Sequence, residues 1–258
     1  MTDEIKCELA RIENESDIRI LLAVESGSRA WGFASTDSDW DVRYIYVHKL
    51  DWYLRIDQHK DSQDEILAND IDLAGWELRK ALGLFRKSNP PMLEWLRSPI
   101  VYLEQFSTAN TLRELSEKYF NPRSCMYHYL SMAKGNFNEF LKDRDLVKIK
   151  KYFYVLRPVL ACDWIENEKS FPPMEFDRLV GSQVKDAEVR KAIDDLLVRK
   201  MAGEELSEEP RIDVLNDMLA AKVKYFSDLV GEVDTVDKPQ TEVLDELFRR
   251  TLREVWSD

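Results

Sequence analysis

The sequence predicts an α+β chain, with a small mixed-sheet unit over residues 1–105 followed by an all-helical unit over residues 106–258. Three observations lead there. Strand-like apolar patterns recur in the first hundred residues, at 18–25, 40–47 and 69–74, with helical patterns between them. From Thr108 onward the apolar period is helical throughout. The interruptions in that second part are proline and glycine clusters, the usual punctuation between helices. A mixed segment ahead of a helical one is the pattern of segregated α+β architecture.

Each element follows from its residues. Residues 3–15 are polar with an apolar stripe, which predicts an amphipathic helix. Ile18-Arg19-Ile20-Leu21-Leu22-Ala23-Val24 is long enough for a buried strand and too short for a helix core. A Gly27-Ser28 turn and a short helical crossover lead to a second strand over 40–47, rich in β-branched and aromatic residues. Residues 50–65 are charged and read as a short helix and a strand. In Asn69-Asp70-Ile71-Asp72-Leu73-Ala74 the period is two, so Asp70 and Asp72 share the acidic face of a third strand. Gly75 opens a helix over 76–86, stopped by Ser88-Asn89-Pro90, and a short helix over 91–97 ends before Pro99.

Helices are then expected over 108–119, 122–141, 145–166, 175–180, 185–201, 212–230 and 241–255. The breaks between them fall at Asn121-Pro122, Pro172-Pro173, 203–210 and 237–239. Pro158 lies inside the 145–166 pattern and predicts a kink or a break there.

With 258 residues, 44% of them apolar, the chain can bury a sizeable core. Cys7, Cys125 and Cys162 are odd in number and widely spaced, so they make neither a disulfide framework nor a zinc site. Reduced thiols in a cytoplasmic protein are the expectation. The acidic N-terminus lacks the apolar core of a signal peptide, and no apolar run approaches the roughly 18 residues of a membrane span. A net charge of −12 argues against coating nucleic acid broadly. Within it, residues 113–157 hold ten Lys or Arg against five Asp or Glu, a basic island that suits triphosphate or a short length of RNA, or a solvated helix face.

The chemistry concentrates in residues 27–43. The small turn Gly27-Ser28 precedes Asp39 and Asp41 by about ten residues, and the two carboxylates are spaced to share a strand face. Paired carboxylates on one face repel, and a divalent cation between them resolves the repulsion. Glycine lets backbone amides approach a phosphate closely. Arg43, on the same face, balances the acidic cluster. The three histidines form no ligand spacing, and no Ser/His/Asp or Cys/His pattern is present.

This order of Gly-Ser, spacer and Asp-hydrophobic-Asp-hydrophobic resembles the DNA polymerase β-type nucleotidyltransferase superfamily. The longer likeness is to its bacterial and phage branch, which includes RNA-repair-associated polymerase-like proteins. It is carried by Gly27–Arg43, Gly75-Trp76-Glu77-Leu78-Arg79-Lys80-Ala81-Leu82, the stretch from Ser88 to Tyr102, Ala133-Lys134-Gly135-Asn136 and Lys150-Lys151-Tyr152-Phe153-Tyr154-Val155-Leu156-Arg157-Pro158. It runs from about residue 18 to about residue 175.

The resemblance implies two Mg²⁺ or Mn²⁺ ions on Asp39, Asp41 and a third carboxylate. Of Asp70 and Asp72 it favours Asp72, by position relative to Gly75-Trp76. It also implies that Gly27, Ser28 and Arg29 meet the triphosphate. Lys150, Tyr154 and Arg157, at i, i+4 and i+7 on one helix face, would grip the nucleotide from the second domain.

The expected reaction is transfer of NMP from a nucleoside triphosphate to an acceptor hydroxyl, an RNA or tRNA 3′ end, with release of pyrophosphate. Transfer of AMP to a protein or small molecule is the alternative. So is a nucleotide-binding regulator, or antitoxin-like partner, without turnover.

Overall fold

Helix α1 (Thr2–Ser16) buries Ile5, Leu9 and Ile12, an i, i+4, i+7 stripe, against one face of a five-stranded mixed sheet. The computed structural model describes residues 1–204, 208–236 and 240–257. Two units are distinguished: Met1–Ala30 and Asp39–Tyr119 with residues 240–257, and Trp31–Ser38 with Phe120–Val236.

In the first unit, β1 (Ile18–Glu25) is followed by α2 (Gly27–Trp31), β2 (Trp40–His48), α3 (Leu50–Tyr53), β3 (Ser62–Ile66) and β4 (Ile71–Glu77). Helices α4 (Leu78–Arg86) and α5 (Pro90–Leu96), strand β5 (Val101–Glu104) and α6 (Thr108–Tyr119) follow. The strand order is β3-β4-β2-β1-β5; β2 and β4 are parallel and the remaining pairs antiparallel. Val42, Tyr44 and Tyr46 of β2 and Ile71 and Leu73 of β4 join the core under α1. The alternate residues, among them Asp41, Arg43 and Asp72, therefore point to the opposite face.

Several expectations are corrected here. β4 continues through Gly75-Trp76-Glu77, so Gly75 is a strand residue and does not open a helix. A Cβ at Gly75 would meet the Tyr44 ring at 2.2 Å, which explains the glycine. The helix begins after Glu77, whose carboxylate accepts from the backbone N–H of Arg79 and Lys80 as an N-cap. Asp70 lies outside the strand, in a turn at φ +61°, and so does not share the face of Asp72. Strand β5 is short and pairs with β1 some eighty positions away, and no local pattern announces it.

The second unit holds α7 (Pro122–Asn136), a π-helical turn (Phe137–Leu141), β6 (Leu146–Lys148), α8 (Ile149–Glu168), α9 (Phe176–Gln183), α10 (Ala187–Met201), β7 (Glu208–Pro210) and α11 (Asp213–Leu229). It is helical apart from the β6–β7 ladder, which takes residues 146–148 out of the helix expected from 145. Helix α8 runs unbroken through Pro158, held by burial of nearly every residue from Tyr152 to Asp163. The Phe33 ring packs on Phe153 and Phe176, at centroid distances of 4.8 and 5.2 Å.

The last helix, α12 (Glu242–Trp256), belongs to the first unit. Its Thr251 hydroxyl meets that of Thr108 at 2.7 Å, and Trp256 Nε1 donates to the His48 carbonyl. The units are thus interleaved in sequence, whereas the sequence suggested one boundary near residue 105: local periodicity cannot report that a terminal helix packs back on the N-terminal unit. The breaks expected around 205–207 and at 237–239 lie outside the described residues. Among the described residues no helix is long and apolar enough to cross a membrane.

Candidate active site

Strand β1 ends at Glu25, and after Ser26 the chain turns at Gly27 with φ +61°, a conformation that costs any residue with a side chain. Space forbids a side chain as well. A Cβ at Gly27 would lie 2.1 Å from Oδ2 of Asp41, so the turn presses directly against that carboxylate. The Ser26 N–H donates to the Asp41 carbonyl at 2.8 Å, which locks the turn to β2. Ser28 and Arg29 follow, both half-buried, in the single turn of α2.

Asp41 and Asp72 are register partners across the parallel β2–β4 ladder. Adjacent carboxylates on one face need a counter-charge, and Arg43 supplies it. Its Nη2 donates to Asp41 Oδ1 at 2.9 Å and to Asp72 Oδ2 at 2.8 Å, while Nη1 donates to the Asp72 carbonyl at 2.9 Å. The balancing role expected of Arg43 is thus what the geometry displays. Asp39 is exposed, one residue ahead of β2; its carbonyl accepts from Arg29 Nε at 3.1 Å. The Arg29 guanidinium lies 3.7 Å above the Trp40 ring. Burial pushes the Asp41 carboxyl above its ordinary range; Arg43 pulls it down, and the charges of Asp72 and Asp39 push it up again. Asp72 and Asp39 therefore both act on Asp41, and Asp72, not Asp70, stands beside it.

Glu25 is a member of this cluster that the sequence reading missed. It is fully buried, its Oε1 accepts from the Asp41 N–H at 2.9 Å, and its Oε2 accepts from the Tyr102 hydroxyl. Burial raises its carboxyl to about 7, against the lowering effect of those two hydrogen bonds. The available signal was an acid ending an otherwise apolar strand, immediately before the Gly-Ser turn.

The donor set suits a hard divalent ion: Asp72 and Asp39 both repel the Asp41 carboxylate, one oxygen of which is turned to the glycine turn. Among the described residues no three such groups are gathered closely enough to hold a metal already. Arg43 instead holds one oxygen each of Asp41 and Asp72.

Lys150, Tyr154 and Arg157 belong to α8 of the second unit, and they do not share one solvent face. Lys150 is half-buried, Tyr154 is exposed, and Arg157 is buried with its guanidinium 4.6 Å above the Trp31 ring. Helix α8 is central to its unit, so the amphipathic reading of it fails at Arg157.

A glycine turn pressed on a strand carboxylate, with a second carboxylate beside it on the next parallel strand, suits nucleotidyl transfer, and comparison with known proteins agrees. The chain is a nucleotidyltransferase of the DNA polymerase β type. Residues 1–250 match the RNA repair pathway DNA polymerase beta family, and the chain belongs to that family. It is 48% identical, over all 258 residues and 99% of the relative, to the uncharacterised protein YcgL of Bacillus subtilis strain 168. A nucleotidyltransferase-like protein of Exiguobacterium sibiricum aligns over 96% of this chain and 79% of its own, with 12% identity and a TM-score of 0.32.

Proposed function

We propose that the protein transfers a nucleoside monophosphate from a nucleoside triphosphate to the 3′ hydroxyl of an RNA, tRNA included, in a reaction that depends on Mg²⁺ or Mn²⁺. The observation that carries this is the contact of Gly27 with Asp41 beside Asp72, flanked by Asp39. Asp39, Asp41 and Asp72 would hold the metal, two ions in all. When bound, the metal supplies charge neutralisation to the attacking and leaving oxygens.

This chain's own residues do the rest. The turn Gly27-Ser28, with Arg29, receives the β- and γ-phosphates and sets the α-phosphorus beside Asp41 and Asp72. Asp72 takes the proton of the acceptor hydroxyl as its oxygen bonds to the α-phosphorus. The bond from that phosphorus to the bridging oxygen breaks, and pyrophosphate leaves with the electron pair. Arg43 offsets the charges of Asp41 and Asp72 until the substrate complex forms, and Glu25 fixes the backbone of Asp41.

One observation favours the rival reading, a nucleotide-binding regulator: Arg43 already neutralises the carboxylates. Turnover decides between them. Each α-labelled triphosphate is offered with magnesium or manganese to total RNA, purified tRNA and a protein extract, beside an Asp39→Asn, Asp41→Asn control. Label in RNA with the wild type alone supports the proposal. Label in protein moves the acceptor, and metal-dependent binding with no transfer to any acceptor overturns it in favour of the regulator.

A further inference from the structure

One corner of the second unit concentrates positive charge that no acid among the described residues pairs with. Lys142 and Arg144 follow the π-helical turn, Lys148 ends β6, and Lys150 and Lys151 sit in the first turn of α8. Among the described residues none of the five forms an ion pair. Elsewhere in this acidic chain a cation such as Arg11 is met by three acids, Glu8, Glu15 and Glu65. Acids do lie close by. Glu139, Asp143 and Asp145 are in the same stretch, and Glu208 faces Lys148 across the β6–β7 ladder; Arg144 donates to the Glu139 carbonyl at 3.4 Å, yet none of these carboxylates forms an ion pair with the five cations.

The placement is unfavourable in two further ways. Lys150 and Lys151 occupy a helix N-terminus, where the dipole repels cations, and that first turn carries no acid. Burial, and the neighbouring charges of Lys150 and Lys148, hold the Lys151 ammonium below the ordinary lysine range against the opposing charge of Glu139. Local conflict of this kind is expected where function demands it.

Aromatic rings are interleaved with the charge. The Lys151 ammonium lies 3.6 Å from the Phe140 ring centre and 4.9 Å from that of Tyr154, and Tyr154 is 37% exposed. Unpaired cations around an exposed ring suit a ligand that is both polyanion and stack of bases.

We propose that this corner is a docking surface for single-stranded RNA. Lys142, Arg144, Lys148 and Lys150 meet phosphates, and a base stacks on Tyr154. The proposal rests on the reading of RNA as acceptor and specifies where on the second unit the strand is held. It takes Lys150 and Tyr154 from the nucleotide to the RNA.

The test is fluorescence anisotropy of a labelled 12-nucleotide single-stranded RNA with the full chain, in EDTA and without triphosphate, across a salt series. With three or four phosphate contacts, log Kd should rise with log salt at a slope of about 2–3, roughly 0.7 per phosphate. The triple variant Lys142→Gln, Arg144→Gln, Lys148→Gln should bind at least about tenfold more weakly, with a slope smaller by about 2. Tyr154→Ala should weaken binding about fivefold or more at unchanged slope, a stacking loss. Unchanged circular dichroism and thermal midpoint establish that each variant is folded.

Equal RNA affinity in the folded triple variant overturns the proposal. So does equally tight, variant-sensitive binding to phosphatidylserine vesicles or polyglutamate, which would make the corner a general anion surface. The assay contains neither metal nor triphosphate, so it reads binding apart from the chemistry. RNA bound here without any transfer keeps this inference and removes the transferase reading. No RNA binding through this face, beside intact transfer to RNA, does the reverse.

Discussion

Gly27 lies so close to Asp41 that a methyl group on its Cα would come within 2.1 Å of the carboxylate oxygen Oδ2. The turn and the strand acid, fourteen positions apart in sequence, are one structural element. Gly27→Ala must therefore strain a left-handed backbone and displace the carboxylate together. We expect a loss of about 1–3 kcal/mol in stability and of roughly a hundredfold or more in transfer rate. Thermal unfolding and label transfer measure the two, and a variant with wild-type rate would separate the turn from the chemistry.

Arg43 is expected to matter most when metal is absent. Arg43→Met leaves Asp41 and Asp72 facing each other without a counter-charge. The cluster is partly solvated, so the cost should be about 1–2 kcal/mol, less than for a fully buried pair, or roughly 2–8 °C in Tm. Manganese should restore the variant's Tm by more than it raises that of the wild type, and EDTA should reverse this. Equal responses to manganese would mean that the carboxylates do not bind it.

Asp70→Asn and Asp72→Asn divide the two candidate acids. Asp72 neighbours Asp41 on the ladder; Asp70 occupies a left-handed turn that asparagine tolerates well. Asp72→Asn should lower the transfer rate about 10²–10³-fold or more, and Asp70→Asn should leave it within about twofold. The reverse ranking in a transfer assay would move the third carboxylate to Asp70.

Glu25 makes stability depend on pH in an unusual direction. Its folded carboxyl is raised to about 7 from an ordinary 4.5, so the folded state holds the proton more tightly than the unfolded one. Its contribution is fully present below pH 4.5, falls as pH rises, and is gone above about 7. The whole effect is on the order of 3 kcal/mol. Glu25→Gln keeps an acceptor for the Asp41 N–H and cannot ionise, so it should be more stable than wild type at pH 8 and flatter between pH 5 and 7. Parallel stability profiles for the two proteins would show that Glu25 is not the titrating group.

How much of this was legible beforehand follows from which forces are local. The apolar run 18–25 and the alternation over 40–47 were readable because strand burial imposes its period on the residues themselves. Asp39, Asp41 and Gly27 were readable as a motif by their spacing. The end of β4 was misread because Gly75 signals a helix start locally, while its true reason is the Tyr44 ring on the neighbouring strand. Arg157 was misplaced because periodicity assigns faces, and α8 is buried on nearly all of them.

The sequence by itself determined the α+β class, the two principal strands, the Gly-Ser turn and the candidate acids, since these are set by the order of residue types along short windows. The tertiary structure alone decided that Asp72 rather than Asp70 stands beside Asp41, that Glu25 and Tyr102 lie buried beneath the turn, and that α12 packs with the N-terminal unit. Each of these depends on register or burial between segments distant in the chain, and contacts of that kind leave no period in the sequence.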